Sequence, residues 1–248
     1  MLILLPPSEG KTAPVDGDPL DLESLSHPEL NRARQRVARD LIAASGRRNA
    51  LQILGVGASI APQVANNNTL WSNPTAPAAQ VYTGVLYDAA ASSTWDDATL
   101  ARARDRIRII SGLWGALSPA DLIPAYRLNM CVHLPRVGAL TAIWRANLPA
   151  ALDPLAHDQL IVDCRSSDYA AVWKAPAGGL TVRVAYLQDG KRKIASHTAK
   201  HTRGLLTGAL VAAPTDPTAP EELAQIASTL PNVTDVELDK GALTLLTS

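Results

Sequence analysis

The amino-acid sequence predicts an α/β fold: a single compact domain with a mixed β-sheet flanked by helices. Three observations predict it. Apolar runs of strand length at Met1 to Leu5, Ile107 to Ile110 and Gln159 to Cys164 each lead into a polar loop containing Gly or Ser. Stretches with apolar residues at helical spacing separate these runs. Strict alternation at Leu180, Val182, Val184 and Tyr186, followed by Asp189-Gly190, adds a hairpin, so the sheet is not wholly parallel. A chain of 248 residues with 47% apolar content can bury one large core, and one domain over residues 1–248 is expected.

Met1 to Leu5 reads as a buried strand that runs into Pro6-Pro7-Ser8-Glu9-Gly10-Lys11-Thr12, where the prolines forbid a helix or central strand. Ser26-His27-Pro28-Glu29 has the spacing of a capping box, and Leu30, Val37 and Leu41 then recur on one helical face up to Ser45-Gly46. Leu51 to Leu54 fits either a strand or a buried helical turn. Ala61 to Ala79, rich in Asn and Pro, is expected to be irregular. Thr94 to Asp97 starts a helix, and the β-branched Ile107, Ile109 and Ile110 switch the pattern to strand before Ser111-Gly112. Ser118-Pro119-Ala120-Asp121 repeats the N-cap logic, with proline at a first helical position. Lys191 to Ser196 returns as a partner strand, and His197 to Leu210 and Glu221 to Leu230 follow as helices. Val233 to Leu246 closes the chain as a hairpin around Asp239-Lys240-Gly241.

Met1 to Leu5 is too short for a signal-peptide core or a bilayer span, so a cytoplasmic protein starting at Met1, with no membrane partner, is expected. Cys131 and Cys164 are not a ligand-spaced pair, which argues against a disulfide and a cysteine zinc site. Formal net charge is zero, so bulk electrostatics gives no reason for a polyanionic partner. The distribution is less even. Residues 213–248 hold six acids against Lys240 alone, which leaves an excess of five positive charges in the first 212 residues. Lys191, Arg192, Lys193, Lys200 and Arg203 form a stretch without an acid, either a solvated charged face or a surface for phosphates.

Four polar loops, Ser8 to Thr12, Tyr82-Thr83-Gly84, Ser111-Gly112 and Arg165 to Tyr169, follow apolar runs. Ligands bind at the carboxyl ends of strands in open α/β sheets, so these loops are expected to converge on one cleft. Lys11 sits between Gly10 and Thr12, but a P-loop needs glycine where Leu5 stands. What remains is a lysine able to hold a phosphate as a point charge. Gly55-Val56-Gly57 lacks the third glycine of a dinucleotide fingerprint, since Ile60 takes its place. His197 and His201 stand one turn apart without a third ligand and are expected to face solvent, so no metal or other cofactor is assigned.

The blocks Pro6-Pro7-Ser8-Glu9-Gly10-Lys11-Thr12, Val81-Tyr82-Thr83-Gly84, Ile110-Ser111-Gly112-Leu113-Trp114-Gly115, Pro119 to Met130 and Lys200-His201-Thr202-Arg203-Gly204 resemble the peroxide stress protein YaaA family. They stand in family order over most of the chain from residue 1 to about 210. The resemblance implies a cytoplasmic bacterial protein that limits oxidative damage when hydrogen peroxide meets loose iron. It further implies DNA binding through a positively charged cleft with a helix-hairpin-helix-like element, which Gly112-Leu113-Trp114-Gly115 approximates, and it brings no secure enzymatic reaction.

Lys11, Tyr82, Thr83, Gly84, Ser111, Gly112, Asp121, Tyr126, Arg127, Ser167, Tyr169, Lys200, Arg203 and Gly204 fall on the family's motif positions. All of these except Asp121, together with Ser8, are the expected ligand or phosphate contacts, and Lys191, Arg192 and Lys193 are the expected DNA-backbone contacts. The alternative is an enzyme acting on a nucleotide or another small phosphate or carboxylate compound. It would use the hydroxyls of Ser8, Tyr82, Thr83, Ser111, Ser167 and Tyr169 beside Lys11 and Arg127. Where the family commonly has Asn-Leu-Ala-Ser, this chain has Asp163-Cys164-Arg165-Ser166-Ser167, which is expected to place an extra charge beside the cleft.

Overall fold

Leu2–Leu5, apolar at every position, can satisfy its backbone and hide its side chains only in the middle of a sheet covered on both faces. In the computed structural model, which describes residues 1–188 and 191–247, it takes that place as β1. The other strands of the main sheet are β2 (Ile107–Ser111), β3 (Gly115–Leu117), β4 (Ile161–Asp163), β5 (Leu180–Gln188), β6 (Lys191–Lys193), β7 (Val233–Asp239) and β8 (Ala242–Thr247). Their order is β7-β8-β5-β4-β1-β2-β3, with β6 pairing against β5. Strands β8, β5, β4, β1 and β2 run parallel to their neighbours, with Ile3 opposite Ile107 on one side and Val162 on the other. Hairpin partners β3, β6 and β7 are antiparallel, so the eight-stranded sheet is mixed.

Helices Asn31–Ser45, Asp97–Arg106, Leu140–Ala156, Ser196–Ala212 and Pro220–Ser228 flank this sheet around one core. Asp96 caps Asp97–Arg106 by accepting the Thr99 amide at 2.8 Å. Gly204 lets Ser196–Ala212 press against the short helix Val85–Ala89, since a Cβ there would lie 2.2 Å from the Leu86 carbonyl oxygen. No helix among the described residues is long and apolar enough to cross a membrane.

Several local expectations give way to tertiary contacts. Ser26 caps no helix. A 3-10 turn, Pro28–Leu30, leads into Asn31–Ser45, and the Ser26 amide and hydroxyl donate to Asp121 Oδ1 at 3.0 and 2.8 Å. Ser118 to Asp121 begins no helix either. The other Asp121 oxygen accepts the Ser118 amide at 2.9 Å and closes a turn. The buried Asp121 carboxylate needs donors, and it takes them from both motifs at once.

Leu51 to Leu54 resolves as the helical turn Ala50–Ile53. Ala61 to Ala79 is more regular than expected, because Ala61–Asn66 and Ala78–Val81 are helical. Gly112 to Trp114 joins two strands, β2 and β3, so no helix-hairpin-helix forms there. Gly115 closes that turn at φ +72°, with the Trp144 ring 2.5 Å from where a Cβ would stand. The Asp189-Gly190 turn lies outside the described residues.

Candidate functional site

The chain leaves β1 toward β2 on one side and reaches β4 on the other, with all three strands parallel. The carboxyl end of β1 is therefore a switch point of the sheet, where adjoining loops splay apart and leave a crevice. Ser8 to Lys11 follows β1, Ser111 ends β2, and Arg165 to Tyr169 follows β4. The Tyr82 loop is tied in by backbone bonds from Thr12 N to the Val81 carbonyl at 2.9 Å and from Thr83 N to the Gly10 carbonyl at 3.2 Å. Gly84 adopts φ +104°, and a Cβ there would lie 3.1 Å from Ser8 Oγ.

Three hydroxyls form a buried chain, with Ser111 Oγ 2.7 Å from Tyr126 Oη and Tyr126 Oη 2.8 Å from Tyr82 Oη. Its direction follows from the backbone. Ser111 Oγ already accepts the amides of Leu113 and Trp114 at 3.2 and 3.1 Å, which fill its lone pairs. Its proton goes to Tyr126, and the Tyr126 proton goes to Tyr82. Burial pushes the pKa of both phenols upward, so they stay protonated and remain donors. The Tyr169 hydroxyl is also buried, and burial raises its pKa as well, opposed by the Met130 backbone amide.

Lys11 lies across these rings. Its Nζ is 4.3 Å from the Tyr126 centroid and 5.4 Å from that of Tyr82, and it donates to the Ser8 carbonyl at 2.7 Å. Burial lowers its pKa from 10.5 to about 7, opposed by Glu9 and assisted by Arg127. The aromatic faces favour the charged amine, but desolvation outweighs them.

Arg127 is aimed by Asn67, a buried side chain whose Oδ1 accepts the Arg127 amide at 2.9 Å and whose Nδ2 donates to its carbonyl at 3.0 Å. This grip fixes an irregular segment, so Arg127 is displayed from a loop and not from a strand. Its guanidinium meets Glu9, with Nη2 2.9 Å from Oε2 and Nη1 donating to the Glu9 carbonyl at 3.3 Å. The Arg127 side chain is 15% exposed and that of Glu9 is 47% exposed. Beside Lys11 a cavity of about 250 Å³ is lined by Lys11, Pro62, Gln63, Asn66, Ala125 and Tyr126. Sequence reasoning missed Asn66, Asn67 and Gln63; the Asn run at 66–68, within a stretch expected to be irregular, was the one available signal.

The structure thus brings Ser8, Lys11, Tyr82, Thr83, Gly84, Ser111, Tyr126 and Arg127 together, while Gly112 packs on Asn129 and Met130 behind them. Ser167 is exposed at the start of the short helix Ser167–Ala170, two residues before the buried Tyr169. Arg165 adds no charge to the cleft: it is 3% exposed and forms two hydrogen bonds with Asp163, at 2.8 and 2.7 Å. Its remaining donors reach the Tyr169 and Trp173 carbonyls, so it positions the Tyr169 segment.

Lys200, His197 and His201 are exposed on Ser196–Ala212, and Gly204 serves the packing of that helix. Arg203 donates from Nη2 to the Val182 carbonyl at 2.8 Å. Arg192 pairs with Glu237, Lys193 is exposed, and the Lys191 side chain lies outside what the structure describes. Among the described residues no three His, Cys, Asp or Glu side chains gather as a metal site.

Comparison with known proteins bears on the same span. Residues 1–229 match the family described as peroxide stress protein YaaA. A UPF0246 protein of Streptomyces coelicolor is 43% identical over 230 residues, 91% of this chain and 88% of that protein. One from Corynebacterium efficiens is 44% identical over 230 residues, covering 92% of this chain and 91% of the relative. One from Alcanivorax borkumensis is 31% identical over 211 residues, 77% of this chain and 81% of its own length.

Proposed function

This chain belongs to the peroxide stress protein YaaA family, and from that premise we propose that it serves the response to hydrogen peroxide by holding a small phosphate-bearing compound in the cleft at the carboxyl end of β1. The observation that carries this reading is that Lys11 and Arg127, from loops 116 positions apart in the chain, lie within electrostatic reach of each other and of Glu9, beside a rigid set of phenol donors. A guanidinium fork suits phosphate or carboxylate, and Glu9 now occupies it as an anionic ligand would. Neither cysteine is suited to consume peroxide directly. Burial raises the Cys164 thiol to about 12, and burial and Asp168 raise that of Cys131, so thiolate is scarce in both.

DNA binding that limits iron-dependent damage is the second reading. Exposed basic residues on β6 and the following helix, Arg192, Lys193 and Lys200, favour it. Fluorescence anisotropy on labelled duplex DNA, with inorganic phosphate and adenosine diphosphate as competitors, separates the two. The small-ligand reading expects weak and uncompeted DNA binding, with saturable phosphate binding, read by ³¹P line broadening, that Arg127→Ala removes. The DNA reading expects affinity to fall with salt at a logarithmic slope of about −3, for about three phosphates neutralised. Absence of small-anion binding together with that slope rejects the first reading and establishes the second.

A further inference from the structure

Building on the phosphate reading of this cleft, we propose that Lys11 is a nucleophilic amine that condenses with the carbonyl group of a small phosphate-bearing aldehyde or ketone. Lys11 Nζ donates to the Ser8 carbonyl at 2.7 Å. Its other surroundings are the Tyr126 and Tyr82 rings, held edge to face by the hydroxyl chain, the Arg127 cation, and the Glu9 carboxylate already bound to Arg127. As a neutral amine it donates one hydrogen to Ser8 and keeps a lone pair. Desolvation in an aromatic pocket beside a second cation is how enzymes make a lysine nucleophilic. The lowered pKa of Lys11 agrees with that geometry.

The cavity that Lys11 borders, about 250 Å³, limits the partner. At roughly 30 Å³ for each water-sized group, it takes a compound of about eight heavy atoms. Gln63 and Asn66 give its wall carboxamides suited to hydroxyl or carbonyl oxygens, and Arg127, which follows the lining residue Tyr126 in the chain, receives the phosphate once Glu9 swings aside. The chemistry balances without a co-reactant. Nζ bonds to the carbonyl carbon while one N–H proton passes to the carbonyl oxygen, giving a carbinolamine. Its hydroxyl then leaves as water with the second N–H proton, so that C=O is replaced by C=N.

The test is reductive trapping on the whole protein with glycolaldehyde phosphate and cyanoborohydride at neutral pH, followed by peptide mapping of Lys11, Lys174, Lys191, Lys193, Lys200 and Lys240. Lys11 should be modified about tenfold faster than any other lysine, because its lowered pKa leaves a large fraction neutral at this pH. That preference should shrink with unphosphorylated glycolaldehyde, in Arg127→Ala, and under saturating inorganic phosphate, the last of which requires no variant to fold. Equal modification of all six lysines overturns the proposal. If ³¹P line broadening shows phosphate binding while Lys11 stays unmodified, only the nucleophile falls; if phosphate does not bind either, the reading it rests on falls too.

Discussion

Lys11 opposes stability to chemistry within one side chain. Its pKa is about 7 in the fold against an ordinary 10.5, so between these values the unfolded chain holds a proton that the folded chain lacks. Stability therefore rises with pH across that window, and below it the fold bears the full cost of a charged, desolvated amine. Lys11→Met removes the cost. The variant should melt above the parent at about pH 6, and the gap should narrow as pH climbs toward about 10. Scanning calorimetry reads this directly, and a gap constant with pH means that Lys11 is an ordinary solvated lysine. Glu9 makes a second residue-scale case. Glu9→Gln should free the Arg127 fork and raise phosphate affinity by about two- to fivefold, the range for a half-exposed pair worth up to about 1 kcal/mol. Titration calorimetry that finds weaker binding would show that Glu9 helps to hold the ligand and does not compete with it.

At the scale of elements, the packing of Val85–Ala89 on Ser196–Ala212 rests on Gly204. A methyl there would meet the Leu86 carbonyl oxygen at 2.2 Å and the Ala89 side chain at 2.7 Å. Gly204→Ala should cost about 1–3 kcal/mol, read as a lower urea midpoint with an unchanged slope. A neutral effect would mean that the two helices can part freely. Strands were the most legible elements, because Leu2–Leu5, Ile107–Ser111 and Leu180–Gln188 carry their burial in their own pattern. Helix starts were less so. Ser26 and Ser118 both read as caps, yet both donate to Asp121, Ser26 from 95 residues away, and local spacing cannot express that. Arg34 was equally hidden. It is fully buried in Asn31–Ser45 and donates at 2.8 Å to both the Trp114 and Ala116 carbonyls, pinning the β2–β3 turn.

Over the whole molecule, the sheet order decides where function can lie, since β1 is the strand flanked by parallel neighbours reached in opposite directions. Three of the four loops picked from the sequence meet at its end, and in the fourth Arg165 holds the carbonyl of the buried Tyr169. That much was legible, because polar residues directly after buried strands have few other places to go. The Asn67 grip on Arg127 was not, since a pairing across 60 residues follows from tertiary packing alone.

The most direct test is ¹³C NMR of the lysine Cε carbons as a function of pH, with and without saturating inorganic phosphate, the Lys11 signal being assigned with Lys11→Met. The desolvated setting of Lys11 places its midpoint near 7 in the free protein. It should rise by about one unit with phosphate, the mark of roughly 1.4 kcal/mol of added preference for the charged amine. A Lys11 midpoint that phosphate leaves in place contradicts the cleft as a phosphate site, and an ordinary lysine midpoint contradicts the desolvated amine.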